Sequence, residues 1–368
     1  MHNAGVVGVE VALNMHQDTA SGLTFTYDLV VLLSAAPSHG PISGGSFAVI
    51  DVKHTAPPLR EAARDSLACH FGTLTVCASF DATGKISCVS PRSRLGVTNA
   101  VVLSVSNSDV IFASRLSFVY DGEPVLAVPH PLMGPAEGAT LVSVFGSGFL
   151  ASPYVWCKFM SGANTTRMYG ALVVARRVTS TFVQCTSPQL AAGFSSVSIS
   201  FNGVDFSEDA VMFELHDPIQ LLAVVPMVGM ASGDVPVHVY GRGLSHRASN
   251  LGYLRCLFGN VSAAAELTLS GSELVCVSPR GKPGLAALRV TNNLVDWSRT
   301  YLWYEYTVVR LTRVTPSNGP VRGGTVLTVE GGGFTVCLSR SSILKSVGHG
   351  HGRTHLFACS SHAHAVIN

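Results

Sequence analysis

Gly134-Pro135-Ala136-Glu137-Gly138-Ala139-Thr140-Leu141-Val142-Ser143-Val144-Phe145-Gly146-Ser147-Gly148-Phe149 is the stretch on which the reading of this chain turns. A glycine–proline turn leads into apolar–polar alternation with the period of a strand, and the strand ends on a glycine pair and an aromatic. The opening turn recurs as Gly40-Pro41…Gly44-Gly45, Gly229-Met230…Gly233-Asp234 and Gly319-Pro320…Gly323-Gly324. The glycine pair recurs as Gly241-Arg242-Gly243-Leu244 and Gly331-Gly332-Gly333-Phe334, while the first copy has Asp51-Val52-Lys53-His54 there and is expected to turn differently. A second anchor follows in each complete copy: Cys88-Val89-Ser90-Pro91, Cys185-Thr186-Ser187-Pro188 and Cys276-Val277-Ser278-Pro279. The first anchor steps by 94, 95 and 90 residues and the second by 97 and 91, so the chain is an array of repeats and not one large domain.

Composition agrees with short strands joined by tight turns: hydrophobic residues are 47%, charged ones 12%, with 36 Gly and 18 Pro among 368 residues. A repeat of that step has the size of a seven-strand sandwich. The formal net charge of +2 argues against nucleic acid, because phosphate binding needs a concentrated positive field. The longest apolar runs, Leu29 to Leu33 and Ile219 to Val225, are far short of the roughly 20 residues that span a bilayer, and both read as strands.

Together with a Cys-x-Phe-Gly and an Asn-Gly-Val-Asp-Phe-Ser type hairpin, the two anchors resemble the TIG/IPT family of immunoglobulin-like domains over roughly residues 29 to 336. The resemblance implies an all-β fold, with tandem immunoglobulin-like (E-set/TIG) β-sandwiches in an elongated array. Such domains build the stalks of plexins, of the hepatocyte growth factor receptor and of large surface proteins of eukaryotic microbes. Residues 1–28 read as the closing hairpin of a repeat, expected to be disordered or loosely docked. Whole repeats are expected at 29–120, 121–215 and 216–306, and the start of a further one at 307–335. Proline in the short linkers, at Pro124 and Pro218, restricts φ and favours stiff joints.

Residues 336–368 depart from the pattern and carry His349, His351, His355, His362 and His364 with Cys337 and Cys359. Imidazole and thiolate are zinc ligands, but these spacings fit no zinc motif, so no metal or other cofactor is assigned and the tail is expected to lack order.

Six cysteines recur at matched positions: Cys69 with Cys88, Cys157 with Cys185, and Cys256 with Cys276, separated by 19, 28 and 20 residues. The recurrence suggests an intradomain disulfide in each repeat, the other reading being a reduced buried pair. Cys77 has no counterpart elsewhere and leaves the first repeat open, as a free thiol or as an alternative partner for Cys69 or Cys88. Asn164-Thr165-Thr166 and Asn260-Val261-Ser262 are N-glycosylation sequons in expected loops. Trp156, Trp297 and Trp303 lie in or beside predicted strands and are read as packing residues, not as a carbohydrate platform.

No catalytic arrangement is read. Gly146, Gly148 and Phe149 lack the helix and third glycine of a dinucleotide cradle, and neither a Gly-x-Ser-x-Gly elbow nor a His-Glu-x-x-His is present. The expected function is a non-enzymatic extracellular or cell-surface stalk and protein-recognition module, with a protein ligand or neighbouring repeats as partners. Two alternatives are an intracellular protein aiding DNA binding or dimerisation and an accessory array of a carbohydrate-active enzyme. Met1 is followed by no leader pattern, so the expectation is a fragment of a larger surface protein, whose membrane attachment would lie outside this chain.

Overall fold

A computed structural model describes residues 5–12, 18–27, 30–54, 67–80, 83–94, 98–107, 110–161, 169–321, 325–333, 342–344, 354–359 and 362–367. The charged segment 59–66 and the sequon at Asn164 lie outside the described residues. Two compact units divide the chain: residues 1–130, 141–188 and 194–213 in one, and 131–140, 189–193 and 214–368 in the other.

Strands β1 (Gly5–Gly8) and β2 (Thr24–Tyr27) pair as an antiparallel hairpin within the residues read as the closing hairpin of a repeat. The first sandwich contains β3 (Val30–Ala36), β4 (His39–Pro41), β5 (Phe47–His54), β6 (Leu67–Phe71), β7 (Leu74–Phe80), β8 (Ile86–Val89), β9 (Asn99–Asn107) and β10 (Val110–Asp121). The second contains β11 (Val125–His130), β12 (Met133–Pro135), β13 (Leu141–Ser147), β14 (Trp156–Ser161), β15 (Tyr169–Thr179), β16 (Phe182–Thr186), β17 (Gly193–Ser200) and β18 (Val211–His216). The third contains β19 (Gln220–Val225), β20 (Val228–Met230), β21 (Pro236–Arg242), the short helix α1 (His246–Asn250), β22 (Arg255–Phe258), β23 (Val261–Leu267), β24 (Glu273–Val277), β25 (Gly284–Thr291) and β26 (Leu302–Thr307).

All three share one strand order, which in the first is β3-β5-β8-β7-β6-β9-β10-β4. Strand β7 belongs to both layers: Leu74 to Cys77 pair with β6, and Ala78 to Phe80 pair with β8. Strands β15 and β23 cross in the same way. The short strand after the first turn runs parallel to the last strand, as in Gly40 opposite Tyr120 and Gly229 opposite Tyr306.

Period-two alternation decides which side chains enter the core. On β6 it buries Leu67, Cys69 and Phe71, and on β26 it buries Tyr304 and Tyr306 while turning Trp303 outward. The first core gathers Ile50, Phe71, Ile86, Leu103 and Phe118, and the third gathers Val237, Val239, Leu274, Leu288 and Tyr304.

Beyond them lie β27 (Arg310–Thr315), β28 (Thr325–Gly332), β29 (Ser342–Leu344), β30 (Thr354–Cys359) and β31 (His362–Ile367), in the order β27-β28-β31-β30-β29. Within the tail expected to lack order, β31 therefore pairs antiparallel with β28, as β8 does with β5.

Candidate functional site

The two sequence anchors are halves of one corner. In the first repeat, the Gly45 amide donates to the Ser90 carbonyl at 2.8 Å, and the Ser46 amide donates to the Ser90 hydroxyl at 3.0 Å. In the third, the Asp234 amide donates to the Ser278 carbonyl at 2.8 Å and the Val235 amide to the Ser278 hydroxyl at 3.2 Å. Gly233 has φ +83°, and a Cβ there would lie 2.7 Å from backbone atoms of Pro279 and Arg280, so only glycine fits. The Tyr120 hydroxyl donates to the Pro91 carbonyl at 2.8 Å, and the Tyr306 hydroxyl to the Pro279 carbonyl at 2.9 Å. Burial pushes the Tyr306 phenol up to about 12, with the adjacent Tyr304 as a smaller cause.

The Gly-x-Gly-Phe ends a strand with a left-handed residue: Gly148, Gly243 and Gly333 have φ of +74°, +73° and +83°. Phe149 then turns into the second sandwich, 2% exposed and 5.6 Å from the ring of Phe201.

Cys69 and Cys88, Cys157 and Cys185, and Cys256 and Cys276 are joined as disulfides, each with Cα atoms 6.4 Å apart. Each bond links the strand before the crossing strand to the strand after it. Cys77 is free and exposed on β7 opposite Ala68, because its register turns it away from the core that holds Cys69 and Cys88. Asn260 is exposed at the turn between β22 and β23. The packing role expected for Trp303 does not hold: it is 52% exposed, since its strand neighbours Tyr304 and Tyr306 take the inward positions.

The most repeated polar geometry lies where one repeat meets the next. In the first compact unit, the Asn202 side-chain amide donates to the His39 carbonyl at 2.9 Å and to Asp205 Oδ2 at 2.7 Å. The Ser46 hydroxyl donates to the same carboxylate oxygen at 2.6 Å, and the Val204 and Asp205 amides donate to Asn202 Oδ1. In the second unit the pattern returns: Asn293 Nδ2 reaches the Met133 carbonyl at 2.9 Å and Asp296 Oδ2 at 2.7 Å. Thr140 takes the place of Ser46, donating to Asp296 at 2.6 Å. Ser46, Thr140 and Asn293 are fully buried, whereas Asp205 and Asp296 are half-buried, so each joint contains a charge-assisted network with one end shielded from water.

Clefts of about 380 Å³ and 450 Å³ open beside these networks. Arg247 pairs with Glu214 at 2.7 Å next to the second. Burial lowers the pKa of His216, whose Nδ1 lies 2.8 Å from the Asp217 carbonyl. The role of the Asn-x-x-Asp pair was not read from sequence, although its signal, Asn202-Gly-Val-Asp205 against Asn293-Leu-Val-Asp296, recurs in register. Among the described residues, no three His, Cys, Asp or Glu side chains group as metal ligands, and no helix is long and apolar enough to cross a membrane.

These features define a class, the immunoglobulin-like β-sandwich repeat with a layer-crossing strand and a disulfide about it. Residues 124–215 and 220–306, the second and third sandwiches, match the IPT/TIG domain. Fibrocystin-L of Mus musculus is 25% identical over 341 residues, covering 90% of this chain and 7% of that protein. Plexin-A2 of Homo sapiens is 24% identical over 279 residues, covering 71% of this chain and 14% of that protein. The solved extracellular region of plexin A4, domains 1 to 8, aligns with 92% of this chain and 45% of its own at 14% identity and a TM-score of 0.28. The chain thus spans a small part of the curated relatives it matches.

Proposed function

We propose that this chain is a non-enzymatic extracellular or cell-surface module whose repeats carry and orient surfaces for protein recognition. The observation that carries the reading is the pair of joint networks, in which one repeat's Asn-x-x-Asp loop grips the turn of the repeat before it. Such joints hold neighbouring sandwiches in register and leave the outward sheet faces for binding. Three disulfides support an oxidising compartment, and the exposed turn at Asn260 suits a glycan.

Mass spectrometry of the natively produced protein without reduction tests the compartment. The expected result is three bridged cysteine pairs and an occupied Asn260. Six reduced cysteines with a bare Asn260 would overturn the extracellular assignment.

A further inference from the structure

The outward face of the third sandwich combines exposed apolar and aromatic side chains with two arginines. The core takes Cys256, Phe258, Leu288, Val290, Tyr304 and Tyr306, so β22, β25 and β26 turn Arg255, Leu257, Leu285, Ala287, Arg289 and Trp303 to the other side. Leu285, Trp303 and the adjoining Tyr301 are 67%, 52% and 47% exposed. The two aromatic rings meet edge to face at 5.3 Å, and the Arg289 guanidinium lies 5.8 Å from the Tyr301 ring. Trp303 sits directly opposite Ala287, and Arg289 directly opposite Leu257, which makes the patch continuous across three strands.

Arg289 also lines the 450 Å³ cleft, together with Trp297 and Arg299. The patch and the cleft therefore share one cation. Among the described residues neither Arg255 nor Arg289 has an ion-pair partner, while Arg299 has Glu137 at 3.5 Å. Glu305, opposite Leu285, is a carboxylate on this face, and Glu137 and Asp296 line the cleft beside Arg289 and Arg299. On the second repeat the same side of β14 and β18 carries Trp156, Lys158 and Met212, with the Lys158 ammonium already 4.3 Å from the Phe206 ring, and the adjoining β15 exposes Leu172 and Val174.

We propose that the β22–β25–β26 face of the third repeat, with its adjoining cleft, is a docking surface for an acidic segment of a partner protein. The proposal rests on the protein-recognition reading above and names the surface and the partner's chemistry. Trp, Tyr and Arg are the residues that dominate protein interfaces, because they combine large apolar area with few rotatable bonds and a polar tip. The uncompensated guanidinium groups select carboxylates, and the edge-to-face ring pair offers apolar contact beside them. An acidic saccharide would share the charge complementarity. The exposed Leu285 and the neighbouring Ala287 favour apolar side chains over sugar hydroxyls, which would lose their water there without partners.

The test is a titration of the full chain with a synthetic peptide alternating glutamate and tyrosine, followed by amide chemical shifts. Parallel titrations use the same peptide with lysine for glutamate and a heparin-derived octasaccharide. The expected result is binding of the acidic peptide, weakened by salt, with shifts at Ala287, Arg289 and Trp303. Trp303→Ala and Arg289→Glu, both surface changes, should each lower affinity by about tenfold, whereas Leu172→Ser on the second repeat should not. Absence of binding, equal binding of the lysine peptide, or saccharide binding at these residues with the peptide silent would overturn the proposal. Shifts confined to another repeat would overturn this face and leave protein recognition standing. Reduced cysteines in native material would sink the extracellular assignment without touching this surface.

Discussion

Single residues at the corner carry constraints that side-chain chemistry cannot relax. At Gly233 an added methyl would meet main-chain atoms of Pro279 and Arg280 at 2.7 Å, and φ of +83° disfavours any L side chain. Gly233→Ala should cost about 3 kcal/mol, from the left-handed backbone and from overpacking together. Hydrogen exchange at Val275 to Val277 reads that loss locally, since the neighbouring sandwiches should be unchanged. Tyr306 makes a second prediction. Its folded pKa of about 12 lies above the ordinary value of 10.0, so the folded state holds the phenolic proton more tightly than the unfolded chain does. That contribution is complete below about pH 10 and is lost as pH rises towards 12. Alkaline unfolding followed by tyrosinate absorbance should show it, and Tyr306→Phe should remove this pH dependence while costing about 1 kcal/mol at neutral pH.

At the scale of elements, the hairpin loops after β17 and β25 act as connectors. Each loop fixes its own shape by Asn accepting two backbone amides, and each spends the remaining Asn hydrogens on a neighbour's carbonyl and on its own Asp. Asp205→Ala would strip the buried Ser46 hydroxyl of its acceptor and should cost about 2 kcal/mol at that joint. Faster hydrogen exchange at Val204 and Ser46, with the first core's Ile86 unchanged, is the expected signature; unchanged exchange at Ser46 would show the bond to be dispensable. The third repeat has Val235 where Ser46 and Thr140 stand, so its turn offers no hydroxyl to a loop of this kind.

At the scale of the molecule, the fold was legible because its repeats constrain one another. Alternation told strand from helix, the agreement of two anchors told repeat from domain, and Cys-x-Ser-Pro marked a real corner. Alternation along a strand says which residues share a face, but not which face turns inward. Trp303 was therefore assigned to packing when the sandwich reserves that side for Tyr304 and Tyr306. Nor does sequence alone say that Asn202 meets His39, a residue 163 positions away in another repeat. The tail pattern was read as lacking order because it has neither anchor, yet its backbone pairs with β28, and main-chain hydrogen bonding needs no anchor motif.

The disulfide around each crossing strand has a mechanical meaning. If a repeat is stretched from its two ends, tension passes through the covalent bridge and bypasses the chain between the cysteines. The withheld lengths are 19, 28 and 20 residues, which at full extension correspond to about 65, 95 and 70 Å. Single-molecule pulling should therefore give shorter unfolding steps for the oxidised protein than for the reduced one, by about these amounts. A tether built of such repeats yields less when pulled while oxidised, and a reductant would lengthen its reach under load without cutting a single peptide bond.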